Sequence, residues 1–152
     1  MTSNEAALRA FFQSPRYAVV GASTNTAKYG YKVFRWYVQH GLPVTPINPV
    51  AKAIEVDGQA YPTVRSLSEL QGASETGVSI ITPPPVTMKT LEEAKGLGIQ
   101  SVFLQPGTFD DGVLAFAREN FRTVLAGDGG RGSEGWCVLV DGERGLESAG
   151  KL

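Results

Sequence analysis

The sequence is poor in the residues on which much enzyme chemistry and all covalent cross-linking depend. Its 152 residues include one cysteine, Cys137, and one histidine, His40. A lone cysteine cannot close an internal disulfide, which suits a reducing compartment. No stretch approaches the roughly 20 apolar residues of a membrane span. The first residues, Met1 to Arg16, set Glu5 beside Arg9 and lack the charged-then-apolar pattern of a secretory signal. The expectation is therefore a cytoplasmic protein. The net charge of -1 indicates no general attraction to nucleic acid or to an anionic membrane.

Glycine and proline, by contrast, are plentiful: 18 and 9 residues, clustered at the ends of expected strands. The hydrophobic fraction of 42% and charged fraction of 19% are those of an ordinary globular chain. The length suits one domain, residues 1–152, with a core that needs neither disulfides nor metals.

Along the chain, short apolar runs alternate with helical patterns. Residues 1–14 hold a helix, Asn4 to Phe12, with Ser3 as its N-cap and Pro15 as its stop. Strands are expected at Tyr17–Val20, Val44–Ile47, Val78–Ile81, Val102–Leu104 and Thr123–Leu125. Helices are expected from the end of the Gly21–Tyr29 loop to His40, over Val86–Leu97, and over Asp110–Asn120 with an Asp N-cap. Val50–Leu70 reads as irregular, with a turn of helix at Ser66–Leu70. Trp136–Val140 fits a strand or a helix, and residues 141–152 read as a loose tail. Apolar strands without strict alternation imply a parallel sheet buried on both faces. The fold class is α/β: a Rossmann-like, doubly wound sheet of about five strands, the first near its middle.

Such sheets bind ligands beyond the carboxyl ends of their strands. The segments that fall there carry no Ser/His/Asp set and no Cys/His metal cluster. The first is the most informative. Gly21-Ala22-Ser23 follows a buried strand, and Lys28-Tyr29-Gly30 opens a helix. Glycine permits close backbone approach. Free N–H groups at a helix start attract an anion. With the Lys28 charge and the Ser23 hydroxyl, the loop suits a pyrophosphate. It is not the G-x-G-x-x-G fingerprint, because Ser23 stands at the second glycine position. The second strand ends in Pro46-Ile47-Asn48-Pro49, without the carboxylate that holds a ribose diol in nicotinamide dinucleotide sites.

These blocks, Val19 to Ser23, Lys28-Tyr29-Gly30, His40-Gly41 with Val44, and Pro46 to Pro49, resemble the small CoA-binding domain proteins. Tyr61-Pro62-Thr63 with Leu67, and Gln105-Pro106-Gly107, match further blocks, so the resemblance runs from about Ser14 to Leu125. The same fold forms the nucleotide-binding half of the succinyl-CoA synthetase alpha subunit. The resemblance implies that coenzyme A or an acyl-CoA is the ligand. Gly21, Ala22, Ser23, Lys28 and Gly30 would hold its phosphates. Asn48, Pro49 and Lys52 would border the adenosine end, and Thr82 and Pro83 the pantetheine path. Gln105 and Gly107 would face the same crevice. The region beyond Leu125 matches no block of the family.

Further residues receive plainer roles. His40, at the end of a helix and away from the crevice, reads as structural, so the phosphohistidine chemistry of the synthetases is not expected here. Cys137 reads as a packed hydrophobe, and Asp128 is the one carboxylate to watch. The reading is a CoA-binding module without catalysis of its own, acting alone, as a homo-oligomer or beside a partner enzyme subunit. An NAD(P)-dependent oxidoreductase, with Lys52 near the ribose, is the alternative. An enzyme that transfers acyl groups from CoA, its catalytic residue supplied by a partner chain, is the third.

Overall fold

A strand with no wet face must lie in a sheet covered on both sides, and four of the five residues of β1 (Arg16–Val20) are buried. The computed structural model, which describes residues 2–152, builds that sheet. Before β1 comes α1 (Ser3–Phe12); after it come α2 (Tyr29–Gln39), β2 (Val44–Ile47), β3 (Ala53–Val56) and β4 (Gln59–Pro62). The chain continues through β5 (Thr76–Ile80), α3 (Pro84–Gly96), β6 (Ser101–Leu104), α4 (Asp111–Asn120), β7 (Thr123–Leu125) and α5 (Val138–Ser148).

Five strands pair in parallel in the order β2-β1-β5-β6-β7. This is a Rossmann-like α/β sheet, with β1 second in the order and β5 at its centre. Alternate residues feed two cores. Tyr17, Val19, Phe103 and Leu125 pack with residues of α1, α2 and α5. Ala18, Val20, Val78, Ile80, Val102 and Leu104 pack with residues of α3 and α4. Across the first core the Tyr37 hydroxyl lies 2.6 Å from Ser79 Oγ, tying α2 to β5. Burial pushes the Tyr37 hydroxyl's pKa far up, so the group stays neutral.

The helix starts follow their sequences. Asp110 caps α4 by accepting from Val113 N at 2.9 Å. α3 begins at Pro84, two residues earlier than the hydrophobic pattern alone places it, because proline is suited to a first turn. The N-cap of α1 is Thr2 rather than Ser3: Thr2 Oγ1 accepts from Glu5 N while the Glu5 carboxylate accepts from Thr2 N.

Two regions differ from expectation. Val50–Leu70 is not merely irregular, because β3 and β4 form an antiparallel ribbon before the short 3-10 turn Leu67–Glu69. Asp57 and Gly58, at φ 51° and 82°, make its two-residue turn, and Asp-Gly is among the strongest short hairpin signals. Residues 141–152 are not a loose tail. Most of them belong to α5, where Leu146 is buried and Gly142 and Gly145 let the helix press onto Trp36 and Phe12. Their small size lowered the apparent hydrophobicity of a segment that glycine in fact allows to dock closely.

Asp141 holds this region in place. Its carboxylate is fully buried and accepts from Arg131 N (3.0 Å), Cys137 N (3.1 Å) and Arg144 Nη1 (3.0 Å). It thereby ties the glycine-rich loop after β7 to the first turn of α5. Removing one partner of a buried pair costs about 3–5 kcal/mol, and Arg144 is partly exposed, so we expect the lower end for Asp141→Ala. Urea unfolding of the variant checks this: the midpoint should fall, with its slope unchanged.

Candidate functional site

From β1 the chain passes to β2 on one side, and the next strand of the sheet, β5, lies on the other. The order therefore reverses between β1 and β5, and their carboxyl ends diverge into a crevice. Gly21 leaves β1 at φ +91°, a conformation that favours glycine. A Cβ there would collide with the carbonyl oxygen of Ile81, just beyond β5. Gly30 is the second residue of α2, and a Cβ on it would collide with the carbonyl oxygen of Gly21. Both glycines thus serve the protein's own packing. They bring the start of α2 down against the strand ends.

Between them the loop is self-bracing. Ser23 Oγ accepts from Asn25 N (3.0 Å), which leaves its O–H free to donate. Asn25 Oδ1 accepts from Ala27 N (3.0 Å), and Lys28 N donates to Asn25 O (3.0 Å). Lys28 occupies the N-cap of α2 without a side-chain cap, and the first turn has no acidic residue. The opening N–H groups of α2 therefore face the crevice without a side-chain competitor.

Asn48, after β2, fastens this loop to the next segment. Its Nδ2 donates to Ala22 O (2.9 Å), and its Oδ1 accepts from Val50 N and Ala51 N, both at 2.8 Å. Thr87 Oγ1 donates to Thr82 O (3.0 Å) and lies 2.8 Å from Thr82 Oγ1, so the Thr82 hydroxyl donates in turn to Thr87. Gln105, after β6, is buried; its Oε1 accepts from Val138 N (2.7 Å), and its Nε2 donates to Cys137 Sγ (3.2 Å).

Three adjoining hollows collect most of these residues. A cleft of about 510 Å³ is walled by Gly21, Ala22, Ser23, Lys28 and Gly30, with Asn48 and Pro49 opposite. A pocket of about 290 Å³ holds Thr82 and Pro83 and shares Gly21 and Pro49 with the cleft. A smaller chamber of about 160 Å³ holds Gln105 and shares Tyr29 and Ile81 with the cleft. Lys52 and Gly107 line none of the three: Lys52 is an exposed residue at the base of the β3–β4 ribbon, and Gly107 turns outward after β6. Asp128 is also exposed and lines none; the carboxylate at the chamber is Glu134.

Sequence reasoning missed Tyr29, Ile81, Arg65 and Glu134 as wall residues. Tyr29 had a signal in its place between Lys28 and Gly30 at a helix start, and it is exposed there. His40 lies at the other end of α2, stacked on Trp36 with 4.1 Å between centroids and bonded to Trp36 O and Glu143. Among the described residues no group of side chains is arranged to hold a metal, and no helix is long and apolar enough to cross a membrane.

The class these features define is a Rossmann-like α/β domain with a crevice at its switch point. Residues 15–129 match the family model of the CoA binding domain, and the chain belongs to that family. It is 28% identical over 97 residues to the alpha subunit of acetate–CoA ligase (ADP-forming) I from Pyrococcus furiosus. That match covers 62% of this chain and 21% of the relative, so the chain spans about a fifth of the ligase subunit. A solved Thermus thermophilus protein is 26% identical, with a TM-score of 0.74 and coverage of 95% and 99% of the two chains. A hypothetical protein from Pyrococcus horikoshii shares the fold at 23% identity and TM-score 0.76, over 95% of this chain and 93% of its own.

The close approach of α2 to the strand ends yields a direct test. Gly30→Ala should destabilise the ligand-free protein by about 1–3 kcal/mol, the usual cost of an overpacked site. Gly41→Ala serves as the comparison, since its Cβ position is open and only the φ of +69° opposes it. Urea midpoints of the two variants without ligand should show Gly30→Ala as the more damaging.

Proposed function

We propose that the protein binds coenzyme A or an acyl-CoA in this crevice, with the pyrophosphate against the Gly21–Gly30 loop and the start of α2. The observation that carries the reading is the uncapped, acid-free N-terminus of α2 beside Lys28, at the wall of a cleft of about 510 Å³. Oriented N–H groups and one positive charge favour a pyrophosphate. Membership of the CoA-binding domain family supports CoA as its bearer. A nicotinamide dinucleotide is disfavoured, because Asn48 stands where a ribose-binding carboxylate would and its amide is already committed to three backbone groups.

The protein acts as a binding module rather than a catalyst in this reading. Its histidine is held between Trp36 and Glu143, a helix length from the crevice. A role beside a catalytic subunit fits the same picture, and the relative in Pyrococcus furiosus is itself named as one subunit of a ligase.

Thermal unfolding with CoA, NAD and NADP tests the ligand. At 100 times Kd, CoA should add about 2.7 kcal/mol, which raises Tm by roughly 5–10 °C in a chain of this size. NAD and NADP should leave Tm unchanged at the same concentration; equal stabilisation by either would remove the preference for CoA.

Lys52, four residues beyond Asn48, is the proposed partner of the ribose 3′-phosphate. An exposed ion pair contributes up to about 1 kcal/mol, or roughly fivefold in affinity. Calorimetry should find that Lys52→Ala loses most of the wild-type preference for CoA over dephospho-CoA. An unchanged preference would move the role to Arg65, which lines the pocket beside Pro49 and Thr82.

A further inference from the structure

The small chamber behind Tyr29 and Ile81 is not needed for a pyrophosphate. It lies between the end of β6 and the glycine-rich loop that Asp141 holds, and Gln105, Cys137, Glu134 and Val140 complete its wall. We propose that this chamber receives the sulfur end of the cofactor and is shaped for a short, uncharged acyl thioester. The proposal rests on reading the crevice as a CoA site and adds the acyl class to it.

Three observations carry it. The first is position. Tyr29 and Ile81 line both the chamber and the phosphate cleft, so the chamber adjoins the place where the ligand is anchored at the start of α2 and lies within reach of a pantetheine arm. The second is size. At about 160 Å³ the chamber is close to a 150 Å³ protein cavity that accommodates benzene, six heavy atoms. A thioester sulfur with an acetyl, propionyl or butyryl group fits such a volume, and an octanoyl chain does not.

The third is polarity. Val138 N–H must be met by an oxygen, which fixes the Gln105 amide with Oε1 toward α5 and Nε2 toward Cys137. An amide nitrogen carries two N–H groups. Cys137 Sγ accepts one, and the other is the donor that a thioester carbonyl entering the chamber would meet. Glu134 adds a negative charge at the wall, which opposes an acyl group ending in a carboxylate, such as succinyl. The chamber thus selects by length and by charge at once.

The wild-type protein suffices for the test, because Cys137 is its single thiol and reports on the chamber. Two measurements are combined: calorimetric affinities for CoA and for acetyl-, butyryl-, octanoyl- and succinyl-CoA, and the rate of Cys137 alkylation followed by mass spectrometry. Acetyl- and butyryl-CoA should bind at least as tightly as CoA, and octanoyl- and succinyl-CoA about tenfold or more weakly. At 100 times its Kd, acetyl-CoA should slow alkylation about 100-fold, following the free fraction. Adenosine 3′,5′-bisphosphate, which lacks the pantetheine arm, should leave the rate unchanged. Affinity that is indifferent to the acyl group, or alkylation that acetyl-CoA does not slow, would overturn the chamber while leaving CoA binding intact. Failure of every CoA species to bind would instead overturn the parent reading, and the chamber with it.

Discussion

The contact on which the rest of the structure depends is backbone against backbone: the start of α2 seated on the carbonyl of Gly21, and Gly21 seated on the carbonyl of Ile81. No side chain fits at either place. Because α2 descends so far, its first N–H groups reach the strand ends, where the chain leaving β1 and the chain leaving β5 turn to opposite faces of the sheet. The same descent carries Tyr37 to Ser79 and Trp36 to α5, so the inner core and the outer cleft are set by one packing decision.

Most of the framework is legible in the sequence. The runs at Tyr17–Val20 and Val102–Leu104 are apolar without alternation, the pattern of strands in a doubly covered sheet. The Asp110 cap announces itself by residue type. What escaped was structure made from residues with weak hydrophobic signals. The β3–β4 ribbon is short and exposed along β4, and its one clear mark was Asp57-Gly58. α5 carries Gly142 and Gly145 on its buried side, so its pattern understated how firmly it docks.

The site divides along similar lines. Gly21 to Gly30, Asn48 and Pro49 are brought together, since sequence order places them all at strand ends. Their tasks are less visible, because hydrogen-bond partners are a property of three dimensions. Asn48 and Thr82 direct their polar atoms into the protein, and Gly21 and Gly30 answer to steric needs of the backbone. The walls contributed by Arg65 and Glu134 lie between the family blocks or beyond them. Nothing in their spacing announces a shared cavity.

At the opposite end of the strands, the C-terminal residues reach back to the start of β1. Lys151 Nζ donates to Ser14 O (2.7 Å) and to the Tyr17 hydroxyl (3.1 Å), and burial pulls its pKa below the usual lysine value. Both acceptors flank the beginning of β1, whereas the crevice opens beyond its end. A tether attached after Leu152 would therefore pull on the base of the sheet along the strand axis, leaving the crevice unobstructed. Attachment by this route would orient the protein on a surface or on a larger assembly with its cleft pointing outward.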